Sequence, residues 1–156
     1  YNSRDPGSAV THSLNYNTDE ISCAIGNASL SRIDQTIKNR RIFKEKIYNL
    51  LSDDKYFILP EFKEFSSPFF QSVFVKDEFL QIKDKLLDHL VANNVALARQ
   101  FQCFVYDWKY TKENVDKIEF ANAKKNKNKC FNLFFNEKSG DKEFKILKNA
   151  FNTINL

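Results

Sequence analysis

The sequence predicts an α+β domain. A long N-terminal helix leads into a small antiparallel or mixed sheet with helices packed on one side of it. Three observations point there. Apolar residues recur at helical spacing between positions 18 and 51. Short apolar runs later in the chain have the length and alternation of strands. No regular strand–helix alternation and no internal repeat is present, which argues against a doubly wound sheet or a solenoid.

Residues 1–17 read as loop, with Asp5-Pro6-Gly7 as a turn signal. The helix is expected from Thr18 to Leu51. Ile21, Ile25, Ala28, Ile33, Ile37, Lys44, Ile47 and Leu51 form its loose face. Asn17 and Glu20 have the spacing of an N-cap and its N3 partner. A polar loop rich in amide side chains therefore feeds a helix N-terminus, where backbone N–H groups favour an anion such as phosphate. An ordinary capped surface helix fits the same residues. The small residues Ser22, Ala24, Gly26, Ala28 and Ser29 allow close approach of another element. The second half, with Arg40, Arg41, Lys44, Glu45 and Lys46, looks solvated.

Tyr56 to Leu59 is a short extended stretch ending at Pro60. Phe69 to Val75 is the clearest strand, and apolar side chains on both of its faces place it inside the sheet. Asp77 to Asn93 is an amphipathic helix with Phe79, Ile82, Leu86 and Leu90 on one face. Val95 to Leu97 and Phe101 to Tyr106 read as extended, and Asp107 to Asn128 as irregular. Phe131, Leu133 and Phe135 alternate in another strand. Ser139-Gly140-Asp141 turns the chain into a last helix carrying Phe144, Leu147, Phe151 and Ile154.

With 156 residues, 42% of them apolar and 28% charged, the chain has the size and composition of one globular domain. Sixteen Phe must supply much of the core volume. The net charge of +4 does not by itself imply nucleic acid. No apolar run reaches the roughly 18 residues of a membrane span. Cys23, Cys103 and Cys130 are scattered and odd in number, which suggests reduced thiols in the cytoplasm rather than a metal site or a disulfide set. Cys23 reads as a small buried side chain. The chain lacks Met and opens in a turn-rich loop, and is expected to be a piece of a longer protein.

Catalytic motifs are absent: no nucleophile elbow, no P-loop and no dinucleotide fingerprint. His89 reads as a surface or boundary residue of its helix. The run Ala123 to Lys129 could contact phosphates but lacks interleaved aromatics, so a solvated loop is the expected form and nucleic acid is not expected as a partner. Arg99 closes the apolar run Val95 to Ala98 and is expected half-buried, facing either a ligand anion or one of the chain's own carboxylates.

The stretch Leu14-Asn15-Tyr16-Asn17-Thr18-Asp19-Glu20-Ile21, continuing Ser22-Cys23-Ala24-Ile25-Gly26, resembles a signature of the DegT/StrS family of pyridoxal-phosphate-dependent nucleotide-sugar aminotransferases. The family pattern runs roughly G-Y-N-Y-R-M-T-E-I-Q-A-A-I-G, then Q-L-x-R-L-D and an Arg pair. Ser29-Leu30-Ser31-Arg32-Ile33-Asp34 and Asn39-Arg40-Arg41 continue it here without a gap. Leu90 to Phe101 is similar, more loosely, to a later family stretch L-x-x-x-x-I-x-T-R-x-x-F, with Arg99 at its arginine.

The resemblance implies aminotransferase fold type I. Residues 1–17 would be a loop from a large domain this chain lacks, 18–52 a connecting helix, and 53–156 the small C-terminal domain. It implies a homodimer formed through the long-helix region, with Asn15 reaching the phosphate of the neighbouring subunit's pyridoxal 5'-phosphate. Arg99 and His12 are the substrate-side candidates, for a nucleotide sugar aminated by an amino-acid donor. No catalytic residue is expected within these 156 positions, because the cofactor lysine would lie upstream. The sequence departs from the pattern at Ser13, Asn17, Thr18 and Asp19, which leaves a second reading: a non-catalytic assembly module that keeps the fold.

Overall fold

The computed structural model describes residues 19–61, 67–99, 108–114 and 121–155. Four strands form one sheet: β1 (Phe57–Ile58), β2 (Phe70–Val75), β3 (Leu97–Ala98) and β4 (Cys130–Phe134), in the order β1-β2-β4-β3. All three pairings are antiparallel, and β2 is interior, as its apolar content predicts. The register pairs Gln71 with Leu133 and Val73 with Phe131, so these four side chains share a face.

That face carries the core. Phe43, Ile47 and Leu51 of α2 (Ile33–Leu51), Leu86, Leu87 and Leu90 of α3 (Lys83–Ala92), and Leu147, Ala150 and Phe151 of α6 (Asp141–Asn152) bury against Val73, Val75, Phe131 and Leu133. Phe57 is the hub of the aromatic packing. Its ring centroid lies 5.5 Å from Phe131 and 5.4 Å from Phe151, both edge-on, the arrangement ring quadrupoles favour. His89 is a boundary residue as expected. Its Nε2 lies 3.0 Å from the carbonyl of Ala150 and ties α3 to α6.

The second face of the sheet is sparser. Ser72 and Asn132 are directly paired there, and the Ser72 hydroxyl donates to the Asn132 Oδ1 at 2.9 Å. Asn132 is buried, while Phe134 at the end of β4 and Ile58 on the edge strand β1 are about half exposed.

Several expectations need correction. The long helix is two helices, α1 (Glu20–Leu30) and α2, separated at Ser31 and Arg32. Gly26, Asn27, Ser29 and Ser31 are weak helix formers clustered at that point. The Ser31 hydroxyl donates back to the Ala28 carbonyl at 2.9 Å, and Arg32 N–H takes Ser29 O in a tightened turn. The N-cap is Asp19 rather than Asn17.

On α2 the core face is Phe43, Ile47 and Leu51, with Lys44 only half-buried beside it and Ile33 exposed. Arg40 is half-buried rather than solvated, and pairs with Glu137 at 2.9 Å. Cys23 is exposed, not buried. The predicted helix 77–93 begins as a 3₁₀ turn, Asp77–Ile82, before α3. The stretch expected to be irregular contains two short helices among its described residues, α4 (Lys109–Asn114) and α5 (Ala121–Lys127). Most of the lysine-rich run is therefore helical, with Lys125 and Lys127 exposed. The extended segment predicted for 101–106 lies outside the described residues.

Candidate functional site

His12, Asn15 and the expected cap Asn17 lie outside the described residues. The part of the proposed site that is described is the first turn of α1. Asp19 stands there in extended conformation, and its carboxylate accepts two bonds. Ser22 N–H donates to Oδ1 at 2.8 Å, and the Ser22 hydroxyl donates to Oδ2 at 2.8 Å. The Ser22 backbone bond, followed by the hydroxyl, holds the Asp19 carboxyl below the ordinary carboxylate range. Glu20 adds a second negative charge to the same turn. The helix end that the sequence suggested for an external anion is thus met by the chain's own carboxylate. The signal was available: Asp19 and Ser22 also have N-cap-to-N3 spacing, two positions beyond the Asn17–Glu20 pair.

α1 has no buried residue. Ile21 is 74% and Ile25 62% exposed. Together with Ala28 these residues line one face of the helix. A side chain added at Gly26 would meet nothing within 4 Å. α1 therefore presents an apolar, small-residue face with no cover from the described residues, whereas α2 is anchored. Anchoring comes from Phe43, 5.5 Å from Phe135, and from the Arg40–Glu137 pair. Asn39 Nδ2 also donates to the Glu137 carbonyl at 3.3 Å.

Arg99 sits just past β3 and is exposed rather than half-buried. Its Nη2 donates to Oδ1 of Asp88 on α3. The internal-carboxylate alternative is realised, and Asp88 is the partner that sequence reasoning did not name. The helix that supplies it comes one turn before the strand, so only the folded α3–β3 connection brings the two together. That connection is tight: Asn94 takes the left-handed conformation at φ 63°, and Val95 N–H returns to Leu90 O at 3.0 Å.

Other candidate chemistry is occupied or absent. Lys83 Nζ donates to the carbonyls of Asn128 and Cys130, and burial pushes its ammonium below the usual range. Burial pushes the Cys130 thiol up, away from the reactive thiolate. A surface recess of about 320 Å³ lies between α2 and β1, but the turn uses its polar groups. There Asp54 Oδ1 accepts from the N–H groups of Tyr56 and Phe57, and Lys76 Nζ donates to the Asp54 carbonyl. No group of three or more His, Cys, Asp or Glu side chains placed to hold a metal occurs among the described residues. No helix among them is long and apolar enough to cross a membrane.

A four-stranded antiparallel sheet with helices packed on it, preceded by an exposed helix, is the α+β arrangement the sequence predicted. The sequence pattern of the DegT/DnrJ/EryC1/StrS aminotransferase family matches residues 3–150, and the chain belongs to that family. Among solved structures, PseC of Helicobacter pylori, an aminotransferase of pseudaminic acid biosynthesis, superposes with a TM-score of 0.75 at 15% identity over 92% of this chain and 40% of that one. The sugar aminotransferase CalS13 of Micromonospora echinospora gives 0.68 at 12% identity, over 85% and 34%. The GDP-4-keto-6-deoxy-D-mannose-3-dehydratase of E. coli, solved with hydrated PLP, gives 0.68 at 19% identity, over 92% and 38%. The chain thus spans roughly two-fifths or less of the length of these structures. A search of the curated proteins finds no match.

Proposed function

We propose that the chain is the C-terminal portion of a pyridoxal-phosphate-dependent aminotransferase that transfers an amino group from an amino-acid donor to a keto-sugar nucleotide, in the biosynthesis of a surface or polysaccharide sugar. The family match over residues 3–150 is the observation that carries this reading. The cofactor, when bound, supplies the electron sink for amino-group transfer. The residues of this chain have binding and assembly roles. Asn15 donates its side-chain amide to the cofactor phosphate of a neighbouring subunit. Arg99, oriented by Asp88, serves the anionic part of the nucleotide sugar, and His12 is a second substrate-side group. The apolar face of α1 is covered in a homodimer of the complete protein, which works in the cytoplasm.

The described residues fit this role in part. The anchored α2 and exposed α1 suit a connecting element whose far side packs on something else. The first turn of α1 does not offer itself to a phosphate, because Asp19 already fills it. The proposed phosphate contact falls to Asn15, earlier in the sequence.

The test is turnover by the full-length protein with keto-sugar nucleotides and glutamate, read by mass spectrometry for exchange of the carbonyl oxygen for an amino group. Amination supports the proposal. A second reading is favoured by the E. coli relative, whose name is that of a dehydratase. Loss of water from the sugar without retained nitrogen would support that reading. Absence of both turnover and bound cofactor would support the non-catalytic assembly module.

A further inference from the structure

We infer that the lysine-rich helix α5, with the turn after it, is a peripheral docking surface for an anionic lipid bilayer, held by charge alone. The chain's 24 basic and 20 acidic side chains differ by four. Residues 121–130 contain four lysines and no acid, so this one stretch accounts for the whole excess. From Ala121 to Asn128 every residue of described burial is exposed, Lys125 and Lys127 among them. Two further lysines fix the turn to its neighbours. Lys129, its side chain mostly buried, pairs with Asp77 at the start of the 3₁₀ turn. Lys83 Nζ donates to the carbonyls of Asn128 and Cys130 and ties the turn to the start of α3. The exposed acids on those neighbouring elements are Asp77, Glu78 and Asp84. Lys129 answers the first and Lys83 stands beside the third in sequence, so the surplus positive charge at this end of the sheet sits on α5.

The side chains of α5 define the partner. Its only apolar residues are Ala121 and Ala123, so it has no wedge to push among acyl chains. It has no aromatic ring on which a nucleic-acid base could stack. Lysine ammoniums are point charges without the fork that grips a single phosphate. Such a surface answers an array of anions spread in a plane, as the phosphates of a bilayer are. A nucleic-acid duplex calls for a longer basic stripe, whereas α5 spans about 10 Å and the rest of the chain has no net charge. The association is reversible, because charge alone is one of the two signals a stable anchor needs. Each lysine near an anionic surface strengthens partitioning about fivefold.

The experiment sediments the full-length protein with vesicles of phosphatidylcholine, alone or mixed with phosphatidylglycerol, at low and at physiological ionic strength. The variants are Lys125→Gln/Lys127→Gln and, as a charge-matched control, Lys145→Gln/Lys148→Gln at exposed positions of α6. Circular dichroism verifies that both fold. The expected result is binding to the anionic vesicles, none to the neutral ones, and weakening as salt rises. The α5 variant should bind about 25-fold more weakly than wild type. The α6 variant should stay within about twofold of it, since charges away from the contact are screened. No sedimentation with anionic vesicles at low salt would overturn the inference. Equal losses in the two variants would also overturn it, because net charge alone produces that result. Binding to a DNA duplex without binding to vesicles would overturn the lipid assignment and give the patch to nucleic acid.

Discussion

Replacing Phe43 by Ala tests how α2 is held, and through it how the site-bearing end of the chain is positioned. Phe43 is 3% exposed. Its ring lies 5.5 Å from Phe135, just past β4, and 6.5 Å from Phe144 of α6, the latter edge-on. Truncation removes a full aromatic side chain from the seam between α2 and the sheet layer, with Ile47 and Leu51 one and two turns further along. A buried Phe→Ala change costs about 3–5 kcal/mol. For a chain of this size each kcal/mol shifts the melting temperature by about 2–4 °C. The expected drop is therefore about 6–20 °C, read by thermal denaturation monitored by circular dichroism. A drop of less than about 2 °C, below the effect of a single kcal/mol, would refute the claim that this ring anchors α2.

The remaining expectations concern the surface and the site. Ile25→Asp should leave the melting temperature of the isolated chain unchanged, because Ile25 is 62% exposed, while lowering dimer content of the full-length protein in analytical ultracentrifugation; an intact dimer would remove α1 from the interface. Stability should fall in acid. Asp77 is held below its usual range by Lys129, Asp141 by Lys46, Glu143 by the Gly140 N–H, and Glu137 by its own backbone N–H and by Arg40. Each such group contributes stability above its unfolded value, 3.8 for Asp and 4.5 for Glu, and loses it as pH falls through the lower folded value. A melting temperature that stays flat from neutral pH to below that window would contradict these pairings. Asp88→Ala should change chain stability by no more than about 1 kcal/mol, since both partners are exposed. If the full-length protein has the proposed activity, the same change should raise KM for the nucleotide sugar with little change in kcat, and an unchanged KM would separate Asp88 from substrate positioning.

What the sequence made legible follows from periodicity. The interior strand 70–75 and the last helix announce themselves by strict spacing of large apolar residues, and both form. The face of α2 was harder. Ile47 and Leu51 of the expected face are buried, but the stripe reaches them through Phe43 rather than Lys44, and Ile33 at the start of α2 is exposed. Helix propensity is a weak signal, and a cluster of Ser, Asn and Gly shows that a break is cheap without fixing where it falls. The short helices α4 and α5 are rich in Lys and Asn and have no apolar face to betray them.

The resemblance pointed to the stretch around Asn15, which lies outside the described residues, and the sequence departs from the family pattern at Asp19. The fold supplies a different reason for that residue, since its two bonds to Ser22 make it the cap of α1. Arg99 shows the opposite limit. An apolar run ahead of it suggested burial, but β3 is a two-residue edge strand, and its end faces solvent and Asp88.

The central claim is that this chain completes a cofactor site through Asn15. It is tested most directly by purifying the full-length protein and its Asn15→Ala variant with pyridoxal phosphate, then measuring cofactor absorbance after gel filtration. The account predicts a correctly dimeric Asn15→Ala protein that has lost most of its cofactor. Equal retention in the two proteins would contradict it.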